Sequence, residues 1–145
     1  MIKENEYIKE QLGKPWEASK YGYNSFDCYG LVKHCYSSLL NIKLPDYAYD
    51  VFDVSNLLKT IDYQKKQPCF YKIEKKDRKS FDIVLMGRNQ KPTHVGVYLA
   101  KGILHCTKDA GVIYTPLNNL KTQYYNYLYF YRYAVPYTYR HSCRQ

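Results

Sequence analysis

Thr93-His94-Val95-Gly96-Val97-Tyr98-Leu99-Ala100-Lys101-Gly102-Ile103-Leu104-His105-Cys106-Thr107 is the stretch on which the fold turns. Two runs rich in β-branched and aromatic residues meet at Lys101-Gly102, a connection tight enough to impose antiparallel pairing. Hairpin pairing around that turn sets residues 94–99 roughly against 104–109. His94 and His105 then come within range of each other on adjacent strands.

Outward from the hairpin the same period continues. Strands are expected at 81–86, 93–100, 102–107, 111–116 and 125–135, separated by turn signals such as Asp109-Ala110-Gly111. Short connections favour a meander of about five antiparallel strands. The last strand alternates Tyr125, Tyr127, Tyr129, Tyr131 and Tyr133, which suits a ring-covered, half-wet face more than a ligand platform. The first half has helical spacing instead. A short helix is expected at 4–12, stopped by Gly13 and Pro15. A longer one at 27–40 carries Leu31, Val32, Cys35, Leu39 and Leu40 at three- and four-residue steps, with Asn41 as a left-handed stop. Another is expected at 50–61. Helices first and strands afterwards reads as α+β, with the helices packed on the antiparallel sheet.

The 145 residues fit one domain, 1–145, without internal repeats or a linker. Apolar residues make up 46 %, but 19 are tyrosines, so the core is built from amphipathic rings. No run approaches the roughly 18 apolar residues of a membrane span. The polar start of the chain lacks the apolar segment of a secretory signal. Synthesis in a cytoplasm is expected, with cysteines reduced. Five cysteines cannot all pair. Lys and Arg total 22 against 13 Asp and Glu, a net charge of +9. The densest basic run, 65–79, lacks zinc spacing, a basic helix or an aromatic sheet signature, so nucleic acid is not expected as a partner. A solvated loop or strand edge accounts for it, with attraction to an anionic envelope as the second reading.

Cys28 begins the 27–40 helix, straight after a glycine-containing loop. A helix start offers unpaired N–H groups and about half a positive charge, which favours a thiolate and can hold an oxyanion. Cys35 falls on the apolar face of the same helix and reads as core. Cys69, Cys106 and Cys143 have neither a helix start nor a local base. His34 lies on the polar helix side and His141 in the tail, so His94 and His105 are the candidate bases. One imidazole could pair with Cys28 while the other fixes its tautomer. The same three residues could instead ligate zinc, although their wide spacing is unlike structural zinc sites. No cofactor is otherwise indicated.

Trp16-Glu17-Ala18-Ser19 and Ser25-Phe26-Asp27-Cys28-Tyr29-Gly30-Leu31-Val32 together resemble the nucleophile block of NlpC-type cysteine peptidases. Ser80-Phe81-Asp82-Ile83-Val84-Leu85, followed by Thr93-His94-Val95-Gly96-Val97-Tyr98-Leu99, resembles their base block. Gly102-Ile103-Leu104-His105 resembles the strand with their third polar residue. The resemblance covers about 12–135 and looks most like variants encoded by tailed phages. It implies a papain-like fold, with Cys28 as nucleophile, His94 as base and acid, and His105 as its orienter. It implies a hydrolase of amide bonds in peptidoglycan stem peptides, carried by a phage particle or a secretion apparatus in place of a leader. Action in the periplasm or cell wall would follow. Two positions depart from the family. Trp16 stands where many members have a tyrosine near the oxyanion site, which leaves Tyr21 and Tyr23 as other donors. Tyr29 replaces the serine that often follows the cysteine. Asp27 could hold a substrate ammonium or simply start the helix. Trp16, Asp27 and Tyr29 are the candidate substrate-binding residues. Transamidation, acyl or lipid chemistry, deamidation of another protein, and a silent tail adaptor are the alternatives to hydrolysis.

Overall fold

The computed structural model describes residues 2–18, 22, 24–44, 70–88, 91–118, 125 and 127–133. Glu4, Tyr7, Ile8 and Gln11 recur at helical steps and are the buried side of α1 (Ile2–Gln11). Gly13 follows with φ 85, the left-handed geometry that ends the turn. The buried Glu4 carboxylate accepts from Ser80 Oγ at 2.9 Å and from the Ala100 N–H at 3.2 Å, pinning α1 to two loops of the sheet. Helix α2 (Cys28–Leu40) buries Cys28, Leu31, Val32, Cys35 and Tyr36. Asn41 ends it at φ 53 and ψ 39, the left-handed stop that its sequence position predicts. The helix expected at 50–61 lies outside the described residues.

Among the described residues the sheet has six strands, not about five, all antiparallel: β1 (Phe70–Ile73), β2 (Ile83–Arg88), β3 (Lys91–Leu99), β4 (Gly102–Thr107), β5 (Gly111–Pro116) and β6 (Tyr127–Tyr133). Their order is β1-β6-β2-β3-β4-β5, so only β2 to β5 form a meander. β6 crosses back to lie between β1 and β2. An ion pair fixes it there: Arg132 of β6 donates from Nε to Asp82 Oδ1 at 2.9 Å and from a terminal nitrogen to Oδ2 at 3.0 Å. The extra strand β1 and a 3-10 turn (Lys75–Asp77) form the described part of the basic run, as an edge strand with exposed charges.

Two layers of core result. α2 covers one face, where Ile83, Leu85, Val95, Val97, Leu99, Leu104, Cys106 and Val112 point. Val84, Met86, Tyr98, Ile103 and Phe130 form a smaller cluster on the other. Tyr131 is buried with the α2 face and Tyr129 and Tyr133 pack against it, but Tyr125 precedes β6 and serves elsewhere. The outer edge of β5 is covered by the chain after α1: Gly13 N–H donates to Val112 O at 3.0 Å and Val112 N–H to Lys14 O at 2.9 Å. No helix among the described residues is long and apolar enough to cross a membrane.

The β3–β4 register differs from expectation by two residues. Ala100 and Lys101, both left-handed at φ 48 and φ 69, make the turn alone. Leu99 therefore pairs with Gly102, and Gly96 with His105. A slip of two keeps every side chain on its expected face.

Asp82 also accepts from the Lys79 N–H at 2.6 Å, so its buried carboxylate holds the β2 entrance as well as β6. Asp82→Ala is expected to lower the unfolding free energy by about 3 kcal/mol, because Arg132 loses its carboxylate partner while keeping the Asp77 carbonyl. Urea unfolding followed by circular dichroism measures it.

Candidate active site

Asp27 starts α2 by accepting the Gly30 N–H on Oδ1 at 2.6 Å. Cys28 is thereby fixed as the first residue of the helix, 2 % exposed and turned toward the sheet. The amides of Val95 and Tyr29 face its sulfur. Val95 directly follows His94, so the thiol lies against the middle of the strand that carries that histidine. Trp16 is joined to Phe26 by a short parallel bridge, with Glu17 N–H donating to Phe26 O at 2.9 Å. This brings half-buried Trp16 to the loop just before Cys28. Asp27 is buried as the helix cap. Tyr29 is 1 % exposed and its ring lies in the core, with Lys33 Nζ 5.9 Å from its centroid. Tyr21, Tyr23, Cys69, His141 and Cys143 lie outside the described residues.

The two histidines meet on the sheet face opposite α2's apolar contacts. Nε2 of His94 is 2.8 Å from Nδ1 of His105, and both rings are buried. They are diagonal neighbours, since His105 faces Gly96, two residues beyond His94. Gly96 makes that contact possible. A Cβ there would lie 2.8 Å from Ile103 Cγ2, 2.9 Å from Leu104 O and 3.0 Å from His105 Cβ. On the far side, His105 Nε2 is 3.0 Å from Thr115 Oγ1. Tyr125 stacks on His94 with centroids 5.5 Å apart and planes 8° apart, and meets His105 edge-on at 6.2 Å.

The imidazoles therefore bond to each other through His94 Nε2 and His105 Nδ1, and the Val95 amide next to His94 faces the Cys28 sulfur. Among the described residues no group of three His, Cys, Asp or Glu is arranged to hold a metal ion. Thr115, Tyr125 and Gly96 were not singled out as site residues from sequence. Thr115 and Gly96 carry one signal, the even spacing that puts them on the histidine face of their strands.

Charge states follow from burial. The Cys28 thiol is pushed up to about 12, first by burial and then by the Asp27 carboxylate, against the pull of the Val95 and Tyr29 amides. This reverses the thiolate expected from the helix start. Burial holds His105 down to about 4, and burial together with His105 holds His94 well below the ordinary histidine range. Thiol and imidazoles are thus neutral together. Cys35 is raised by burial and sits in the core, as its helical face predicts. His34 ties the helices together, its Nδ1 2.6 Å from the Tyr7 hydroxyl.

A family model described as the NlpC/P60 family matches residues 13–131. The chain belongs to that family. A comparison with curated proteins gives no match. Among solved structures, NlpC2 from Trichomonas vaginalis is 23 % identical with a TM-score of 0.61, covering 90 % of this chain and 45 % of its own. The chain thus spans less than half the length of that protein. RipB from Mycobacterium tuberculosis, a peptidoglycan hydrolase, is 16 % identical with a TM-score of 0.53, covering 89 % of this chain and 64 % of its own. RipD from the same organism is described as a non-catalytic NlpC/p60 domain protein adapted to peptidoglycan binding. It is 16 % identical with a TM-score of 0.55, covering 88 % of this chain and 92 % of its own. At these identities the likeness is one of fold: helices on an antiparallel sheet, the α+β architecture shared with the NlpC/P60 structures. The family includes peptidoglycan hydrolases and members without catalysis.

Two outcomes are expected. Gly96→Ala should separate β3 from β4 at the histidines and cost roughly 1–3 kcal/mol, measured by thermal unfolding. Histidines with folded pKa values below their unfolded value of about 6.5 bind more protons once unfolded, so stability falls with acidification. For His105 the fall begins as pH drops through about 6.5 and levels off below about 4. His105→Gln should flatten that limb in unfolding curves taken across the range.

Proposed function

We propose that this NlpC/P60 domain is a cysteine endopeptidase or amidase acting on peptidoglycan stem peptides. The observation that supports it most is the buried His94–His105 bond, carried one residue before Val95, whose amide faces the sulfur of a cysteine held at a helix start. His105 occupies Nε2 of His94 and leaves Nδ1 as the nitrogen for the thiol proton. In the proposed reaction His94 takes that proton and Cys28 sulfur attacks the amide carbonyl carbon. The oxyanion is met by N–H groups at the start of α2. The C–N bond breaks as His94 protonates the leaving amine. Water, deprotonated by His94, then attacks the thioester and frees Cys28. Trp16 and Asp27, flanking the Cys28 loop, are the proposed substrate contacts, with Tyr29 supplying its amide. A basic surface keeps the domain near anionic wall polymers. Delivery on a phage particle or by a secretion apparatus is part of the same proposal.

A second reading is favoured by one observation: the thiol is buried and pushed up to about 12, which suits peptidoglycan binding without turnover. Incubation with purified muropeptides and mass analysis of the products decides between them. Cleavage is expected, and it should vanish in Cys28→Ala and fall at least about a thousandfold in His94→Ala. His105→Ala should keep roughly a tenth to a hundredth of the rate, as an orienter does. Undiminished cleavage by Cys28→Ala overturns the mechanism. Muropeptide binding without any cleavage by the wild-type protein selects the second reading.

A further inference from the structure

The polar groups on the histidine face form a row across three strands. His94 of β3, His105 of β4 and Thr115 of β5 are joined by bonds of 2.8 Å and 3.0 Å. Both joins are diagonal. His105 faces Gly96 and Ile113, while its partners are two residues away from each, at His94 and Thr115. All three are buried, with His105 1 % and Thr115 2 % exposed. Bulk water therefore does not compete for the ring nitrogens.

A neutral imidazole carries one proton on one of two nitrogens. The bond between the rings needs one proton, which leaves two arrangements of the whole row. In the first, His94 Nε2–H donates to His105 Nδ1. The proton of His105 is then on Nε2 and must be accepted by Thr115 Oγ1, and His94 Nδ1 keeps a bare lone pair. In the second, His105 Nδ1–H donates to His94 Nε2. His105 Nε2 then accepts from the Thr115 hydroxyl, and His94 carries its proton on Nδ1, where it cannot receive one from a thiol. Resting on the cysteine-peptidase reading, which needs the first arrangement, we infer that Thr115 is a positioning residue: it accepts from His105 Nε2–H and so fixes the tautomers of both histidines.

A threonine is suited to this because its oxygen accepts while its own proton can turn to another partner. Valine has the same outline and no oxygen. In Thr115→Val the first arrangement would leave a buried N–H donor unmatched, whereas the second leaves only a lone pair. The preference then shifts to the second, because an unsatisfied buried donor is the costlier group. Tyr125 contributes by covering the face of His94 and the edge of His105, which keeps solvent from substituting for the lost hydroxyl.

Long-range proton–nitrogen NMR of the histidine rings, on the full chain with 15N-labelled histidine, reads the tautomers directly. In the wild type, His94 and His105 are both expected to be protonated at Nε2. Thr115→Val should move a substantial fraction of His94 to the Nδ1-protonated form, and Thr115→Ser should restore the wild-type pattern. On muropeptides, Thr115→Val should lose about tenfold in kcat with KM unchanged, the scale of one neutral hydrogen bond, and Thr115→Ser should recover it. A wild-type His94 protonated at Nδ1, or a Thr115→Val spectrum like that of the wild type, overturns the inference. Should Thr115→Val fail to fold, Thr115→Ala takes its place in the same comparison. The spectra need no substrate. A wild-type protein with the expected tautomers that leaves muropeptides intact overturns the peptidase reading and leaves the role of Thr115 standing.

Discussion

The bond between His94 and His105 is the constraint that the site depends on, and it is demanding to build. Two imidazoles must be brought to 2.8 Å inside a sheet, where each is costly to bury without a partner. The residue opposite His105 must carry no side chain, and Gly96 supplies that gap. The register must be correct to the residue, and the two-residue turn at Ala100 and Lys101 sets it. The second nitrogen of His105 must also be met, and Thr115 does so from the next strand. The β3–β5 meander is thus specified as much by a polar row on one face as by the aliphatic residues on the other.

On the α2 side the balance of forces is different. A helix start stabilises a nearby anion by about 2 kcal/mol at most. A rise in the Cys28 thiol from 9.0 to about 12 corresponds to about 4 kcal/mol against the thiolate. Burial and the neighbouring Asp27 carboxylate therefore win, and the protein rests with a neutral pair. Asp27 has a double effect: its carboxylate caps the helix that fixes Cys28, and the same charge opposes ionisation of that thiol.

Local patterns in the sequence give most of the architecture and the three residues around which the site is argued. The helix start at Asp27 and its stop at Asn41 depend on chemistry within a few residues, so they are legible without a structure. The β3–β4 hairpin is legible too, but its turn falls at Ala100 and Lys101, and its register moves by two residues. The position of β6 is not, because the Arg132–Asp82 pair joins residues 50 apart along the chain. β1 escapes notice because only four residues form it and two are exposed, within a run that reads as solvated charge. The charge state of Cys28 depends on how deeply the fold encloses it, which no helix-start argument contains. Thr115 and Tyr125 are ordinary strand and loop residues in one dimension. Only the register of β4 with β5, and the path of the chain before β6, bring them to the histidines.

The order β1-β6-β2-β3-β4-β5 has a consequence for how the molecule assembles. β2 to β5 can zip together as successive hairpins soon after they leave the ribosome, since each pairs with its neighbour in sequence. β1 cannot join them, because the strand that separates it from β2 is the last of the six to be made. The early-made edge strand must wait, unpaired, until Tyr133 has emerged. The histidine row can form during synthesis, whereas completion of the sheet is a late, long-range closure and the slow step of folding by topology. The chemistry of the site and the completion of the β1–β6–β2 side of the sheet are thus established at different times by different parts of the chain.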